Sequence, residues 1–501
     1  MQQGAAYFFC IYQQYFFLLD VIRYMKVKYT LFIVAIISLF ISCSDEDFST
    51  SSSVSPLYFS VDTVDMDTVF ANVPSSTRSF WVYNRSQNNV RLSSVRLVGG
   101  NQHGFRVNVG GTYLSAESGF QTSDLEVRKN DSVRVFVELT SQKATVEDMT
   151  LIEDKLVFSQ LGAVEQRIVL RALSWKARQV YNLRIRRDTI ISGESPIVVY
   201  GGIRVDSAAT LTIGPGTKLF FHDKTGIDVY GRLLVKGTAN ANVTLRGDRL
   251  DKMFSYLPYS RVSGQWAGIR IYEHSYGNEF ENMDLYGAFD GLRIDSSDVS
   301  RPKLTLKAST IHNCQGYGIL AEQCLMEMQN CQISNTQNDC VRIIGGKAAL
   351  THCTLAQFYP FAAERGAALW ITFDKYSLVN CLLQNCLITG YANDVVMLGK
   401  EEKDKGVLIT FRDSRIRMPK IDLPYVNATF DNIVYEQPTD TAFSPKNTFM
   451  TFDEKNLYYD FRLKKGSGAI NAGNALWTLP TDRLGKLRDA KPDLGAYEYA
   501  E

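Results

Sequence analysis

Ser309 to Ile333 reads "STIHNCQGYGILAEQCLMEMQNCQI". Three of the chain's nine cysteines stand in it, and Asn-Cys occurs twice. A small or thiol residue followed two places later by an apolar one recurs as Ser309/Ile311, Cys331/Ile333 and Cys353/Leu355, with steps of 22 residues. Met283/Leu285 precedes the series by 26 residues, Cys381/Leu383 follows by 28 after the insertion "FYPFAAERG", and Ser414/Ile416 extends it. A second register, in "WAGIRI", "DGLRI", "YGIL", "DCVRI", "ALWI" and "VVML", ends at Ile271, Ile294, Leu320, Ile343, Ile371 and Leu398. The segments are short, β-branched and broken by Gly, Asn and Asp, so they read as strands and turns. A repeat of this length is one coil of a solenoid, with coils stacked at ~4.8 Å and like residues piled on like. The cysteines then form an interior ladder of small apolar groups. Asn beside Cys supplies the left-handed turn. A disulfide pair or a metal site are the competing readings. The spacing favours neither, because C-x-x-C is absent and Cys324/Cys331 and Cys381/Cys386 lack zinc-site spacing.

"ATLTIGPGTKLFFHDKTGIDVYGRLLVKGTANANVTLRGDR" (209–249) and "YSRVSGQWAGIRI" (259–271) carry a family likeness. They resemble the coils of exported right-handed parallel β-helix proteins of the pectin-lyase-like superfamily. "DFRLKKGSGAINAGN" and "TDRLGKLRDAKPDLGAYEY" (460–474 and 481–499) resemble a C-terminal segment found on such β-helices. The likeness spans Tyr181 to Tyr499. It implies the fold but no reaction, since the "DH", "GHG" and "RIK" motifs of the family's pectate lyases and polygalacturonases are missing.

The expected organisation is all-β. Residues 1–24 fit no targeting pattern, and translation is expected to start at Met25. "MKVKYTLFIVAIISLFISC" (25–43) has a basic start, an apolar stretch too short to span a bilayer comfortably, and a terminal Ser-Cys. It resembles a bacterial lipobox, with Phe40 where Leu is usual, and makes Cys43 the lipidated residue. Residues 44–55, acidic and then serine-rich, read as a flexible tether. The acidic stretch is similar to the export signal of surface lipoproteins in one group of Gram-negative bacteria. Residues 56–175 alternate in short strands, an immunoglobulin-like β-sandwich without the Cys…Trp…Cys pattern. The β-helix is expected over 181–450, and a last coil and C-terminal cap over 451–501.

A net charge of +1 without basic runs argues against nucleic acid as a partner. The five histidines show no metal-ligand spacing, so no metal is expected. Asp62, Asp65 and Asp67 lack the Gly and closing Glu of a calcium loop. Asp290, Gly316, Asp339, Arg365 and Asp394 precede the strand ends of the second register. Asp339, Arg365 and Asp394 are the catalytic candidates: carboxylates could hold a cation, Ca2+ in a lyase, while a basic residue takes a proton. The alternative is that these aspartates are turn residues. Trp266, Tyr259, Tyr359, Tyr391 and Glu364 are the binding candidates; the aromatic insertions either stack on sugars or cover the coil's flank. The leading expectation is a monomeric, lipid-anchored outer-membrane protein whose β-helix binds glycan or another envelope component. A polysaccharide lyase or glycoside hydrolase acting on an acidic polysaccharide, and a structural stalk, are the alternatives.

Overall fold

A computed structural model describes residues 55–142, 149–193, 195–399, 406–420 and 427–500. The expected signal sequence, Cys43 and nearly all of the tether lie outside the described residues. Among the described residues, no helix is long and apolar enough to cross a membrane.

Two five-stranded sheets form the N-terminal sandwich. One orders Tyr58–Phe59, Arg78–Tyr83, Ser132–Leu139, Phe105–Val109 and Thr112–Tyr113. The other orders Thr63–Phe70, Gln166–Trp175, Thr150–Ser159, Ser94–Leu97 and Gln121–Thr122. Alternate residues face inward, as period-2 patterning requires, and Phe80, Val107, Val135, Leu156 and Leu170 fill the core. Thr63–Phe70 pairs parallel with Gln166–Trp175, with a register shift at Arg171/Leu173.

From Arg178 to Tyr435 the chain winds into a right-handed parallel β-helix, one continuous 26-stranded sheet folded into three faces. The first face carries the second sequence register. On the third face, Leu245, Leu285, Ile311, Ile333, Leu355, Ile388 and Ile416 stand in one inward file, all fully buried. The second face stacks Ile213, Val235, Phe280, Leu306, Met328, Leu350, Leu383 and Phe411.

Two sequence registers need correction. Cys381/Leu383 belongs to the second face, and Cys386/Ile388 takes the rung expected for it. The turn and bulge between Thr372 and Asn380, which pair with Ile344 and Lys347 of the preceding rung, shift the phase by five residues, which the spacing alone concealed. On the first face Ala321, not Leu320, follows Ile294 inward.

The corner between the second and third faces explains the thiols. Asn282, Ala308, Asn330, His352, Asn385 and Asp413 all have φ between 42° and 53°, a left-handed conformation that Asn tolerates better than most residues. Each N–H through Asn385 donates to the carbonyl that ends the second-face strand of the next rung. The residues that follow, Ser309, Cys331, Cys353, Cys386 and Ser414, form the interior ladder. Ser309 and Ser414 donate to carbonyls two residues back, at 2.7 Å each; Cys331, Cys353 and Cys386 approach the equivalent carbonyls at 3.1–3.5 Å. Asn313-Cys314, the other Asn-Cys, lies at the far end of its strand, opposite Asn335 and Thr336. All seven described cysteines are unpaired and buried.

Phe70, Val198 and Phe220 pack with Trp175 where sandwich meets solenoid. Beside them Asp251 binds Arg249 at 2.8 Å, Ser76 at 2.7 Å and Arg78 at 3.5 Å.

The C-terminal region packs along the flank of the solenoid. Phe449–Asp453 and Tyr458–Leu463 form an antiparallel hairpin. It packs with Ala356, Phe358 and Leu387 on the outside of the third face. The tail then runs back along the flank. Asn474 exchanges hydrogen bonds with Asn385, Arg488 donates to Asn330 at 2.9 Å, and Arg483 reaches Thr310 at 3.1 Å and Asp284 at 2.5 Å. Near the last rungs Arg415 and Glu436 form a fully buried pair at 2.7 Å, held by Thr448 and Thr389.

Candidate functional site

On the first face, the residue before each inward strand-end side chain must point outward. In-register pairing therefore files Arg184, Arg204, Asp228, Arg270, Arg293, Leu320, Arg342 and Trp370 along the exterior, one rung of ~4.8 Å apart. Arg184 and Arg204 share Asp206 at 2.8 and 3.2 Å. Arg270 binds Asp295 at 3.0 Å. Arg342 binds Asp339 at 3.3 Å and lies 3.6 Å over the Trp370 ring. Arg293 makes no ion pair among the described residues.

Aromatic stacks flank this file. Tyr230 and Tyr272 stack at 3.9 Å, with Arg204 4.2 Å over Tyr230 and Arg270 4.5 Å over Tyr272. The Tyr272 hydroxyl donates to Asp228 at 3.2 Å, and burial raises its pKa. At the opposite corner Tyr181 and Tyr200 stack at 4.9 Å, and the His222 ring lies tilted 4.8 Å from Tyr200. His222 Nδ1 lies 2.7 Å from Asp248, and burial pushes Tyr200 up to about 12.

Between the stacks is a concavity of about 570 Å3, lined by Arg184, Arg204, Asp228, Arg270 and Arg293 over Gly202, Gly226 and Gly268. The volume falls within the usual range for ligand sites. Glycine is obligatory in this floor: at Gly268, φ is +94° and a Cβ would lie 1.6 Å from the Asp290 carbonyl. The groove combines planar donors, carboxylate acceptors and aromatic rings, the groups that bind polyhydroxylated rings. Among the described residues, no three His, Cys, Asp or Glu side chains cluster so as to hold a metal ion.

The sequence-derived candidates lie elsewhere or play other parts. Trp266 is 1% exposed, stacks on Phe221 at 4.4 Å and donates Nε1–H to the Tyr286 carbonyl at 2.9 Å; it is a core residue. Asp339 is 2% exposed and accepts the Ala367 N–H of the next rung at 2.7 Å. Burial raises its pKa against that bond and Arg342. Asp290 and Asp394 likewise accept backbone N–H groups, from Tyr317 and Val396. The rung between Asp339 and Asp394 is occupied by Ala367, and Arg365 lies in the loop before it. Arg365 donates to the Tyr359 carbonyl at 2.6 Å and lies 4.5 Å over Tyr391. Tyr359 is buried with its hydroxyl 2.8 Å from Ser263. Tyr391 donates to Glu454 at 3.1 Å. Tyr259 lies 3.9 Å under Arg249, and Glu364 is exposed. Tyr359, Arg365 and Tyr391 therefore meet, away from the arginine file.

The file itself was missed from sequence, although "NLRI", "GIRV", "GIRI", "GLRI" and "CVRI" each place Arg before the strand-end apolar residue.

Among solved structures, the chain is similar to the CsuC–CsuE chaperone–tip adhesion subunit pre-assembly complex from archaic chaperone-usher Csu pili of Acinetobacter baumannii. Identity is 8%, coverage is 24% of this chain and 52% of that one, and the TM-score is 0.14; the chain thus spans about half of that structure's length. It is also similar to a GH87 α-1,3-glucanase catalytic domain in complex with tetrasaccharides: 10% identity, 75% and 91% coverage, TM-score 0.20. The catalytic unit of a thermostable GH87 α-1,3-glucanase from Streptomyces thermodiastaticus gives 11% identity, 72% and 88% coverage, TM-score 0.19. No curated protein matches. The family model described as right handed beta helix region matches residues 177–356, less than half of the chain and within the strands that pair as a parallel β-helix.

Proposed function

We propose that this chain is a surface-exposed outer-membrane lipoprotein, anchored through Cys43, whose β-helix binds a polysaccharide along its first face. The observation that supports this most is the outward arginine file of Arg204, Arg270 and Arg293, set beside the Tyr230–Tyr272 stack in a concave groove. Most of these guanidinium groups are already paired with carboxylates, so the groove offers donors and acceptors alternately, which suits hydroxyl-rich ligands. The chain works as a monomer, with the sandwich as an immunoglobulin-like spacer, and the solenoid is kin to the pectin-lyase-like superfamily.

Lysis or hydrolysis through Asp339, Arg365 and Asp394 is the lesser reading. The Asp339 carboxylate is occupied by Ala367 N–H and Arg342, and Arg365 by Tyr359 and Tyr391.

The test is retention of the full chain on acidic and neutral polysaccharides, with and without calcium, alongside assays for new reducing ends and unsaturated uronides. Retention without product is expected, lost on neutral polysaccharides and weakened on acidic ones in Arg270→Ala/Arg293→Ala. Product formation that Arg365→Ala abolishes would establish the enzyme instead, and no retention on any glycan would leave a stalk.

A further inference from the structure

The two outer faces of the sandwich have different chemistry. On the sheet containing Gln166–Trp175, outward charges pair off: Asp65 with Arg171 at 2.8 Å, and Arg96 with Glu165 at 3.4 Å. On the other sheet Arg106 and Glu138 pair at 3.2 Å, and the outward positions from there toward the Tyr58–Phe59 edge are largely aromatic. Tyr58 stands opposite Tyr83, Trp81 opposite Arg134, and Phe136 opposite Ser79, on three adjacent strands. Trp81 is 39%, Phe136 38% and Tyr58 47% exposed. Large rings left this open on a sheet are costly in water unless something covers them.

Two guanidinium groups lie among the rings. Arg85 is 4.9 Å from the Tyr58 centroid and 5.7 Å from that of Tyr83. Arg134 is 5.3 Å from Trp81 and 5.0 Å from Phe136, and its Nε and Nη2 both donate to Ser79 Oγ. Neither arginine makes an ion pair among the described residues, so both keep a full positive charge and donors facing outward. The charge is held in place but not neutralised.

We propose that this face is a second binding site, for an anionic polysaccharide bearing carboxylate or sulfate groups. Sugar rings lie on Trp81, Tyr58 and Phe136, and the anionic substituents meet Arg85 and Arg134. The aromatic track crosses three strands, roughly 10 Å, enough for an extended glycan to touch both arginines. The rings stand on strands and not at a loop tip that could insert into a bilayer, which favours a glycan over a lipid headgroup surface. The proposal is independent of the solenoid groove.

The test uses the full chain carrying Arg270→Ala/Arg293→Ala, so that the groove is removed, in affinity electrophoresis through polygalacturonate, dextran sulfate and neutral dextran. Sedimentation with phosphatidylglycerol vesicles is run in parallel. Retention by the two anionic polymers only is expected, weakened about fivefold by Trp81→Ala and by Arg134→Ala. Unfolding midpoints for each variant exclude misfolding. Equal retention by neutral dextran, vesicle binding as strong as polymer binding, or indifference to both sandwich substitutions overturns the proposal. If Trp81→Ala removes all binding while the groove substitutions remove none, this site stands and the groove reading falls.

Discussion

Trp266→Ala separates a structural tryptophan from a sugar-stacking one. The ring is enclosed, stacked on Phe221 at 4.4 Å, with its N–H on the Tyr286 carbonyl. Truncation leaves a cavity at a well-packed rung and strands that carbonyl. Large aromatic truncations in cores cost about 3–5 kcal/mol, and the orphaned acceptor belongs to that loss. Trp266→Phe keeps most of the stacking and loses the hydrogen bond, about 1 kcal/mol. In a solenoid each rung supports its neighbours, so the loss is concentrated in the β-helix. Urea unfolding followed by circular dichroism, with a separate probe of the sandwich, should show the solenoid transition falling by about 3–5 kcal/mol and the sandwich transition unmoved. Glycan retention measured well below the new midpoint should be unchanged. An unaltered solenoid midpoint together with lost retention would refute the core assignment and return Trp266 to the binding surface.

Gly268→Ala should strongly reduce folded yield, because its Cβ would meet the Asp290 carbonyl. Gly466→Ala, at φ +83° with open space around it, should cost only about 1 kcal/mol; chemical denaturation compares them. Burial holds His352 down to about 3. Its folded pKa lies below the ordinary 6.5, so its contribution is complete above pH 6.5 and is lost as pH falls, about 2 kcal/mol by pH 5. His352→Asn, which matches Asn330 and Asn385 in the same corner, should flatten that acid limb in pH-dependent melts. Burial also pushes Cys324, Cys340 and Cys381 up to about 12. The seven described thiols should resist alkylation at pH 8 until the chain unfolds, as mass spectrometry would read. Glu436→Gln leaves Arg415 charged and buried, and should cost about 3–5 kcal/mol in thermal unfolding.

The winding was legible because like residues recur: Ile311, Ile333 and Leu355 stand in the inward file that their 22-residue step requires. Phase was lost wherever a loop changed length. The turn and bulge between Thr372 and Asn380 moved Cys381 to another face, and within Ile319–Glu322 the pairing places Ala321, not Leu320, inward. Arg365 stands two residues before Ala367, which fills the rung position between Asp339 and Asp394, and packs toward Tyr391. Trp266 misled because an aromatic inside a polar, Gly-containing loop has no periodic partner to mark it as core. The arginine file was written in the repeat itself, but the apolar residues beside it drew the reading inward.

The tail contacts rungs made long before it: Arg483 lies 173 residues from Thr310 and 199 from Asp284. A solenoid can zip vectorially from one end as it is synthesised, each rung templating the next. This one cannot finish so. Its polar corner at Asn330 and Asn385, and its apolar flank at Ala356 and Leu387, stay wet until the segment from Phe449 to Leu494 emerges. Completion therefore awaits that segment, and a chain clipped before it carries an unsealed seam over several turns already wound.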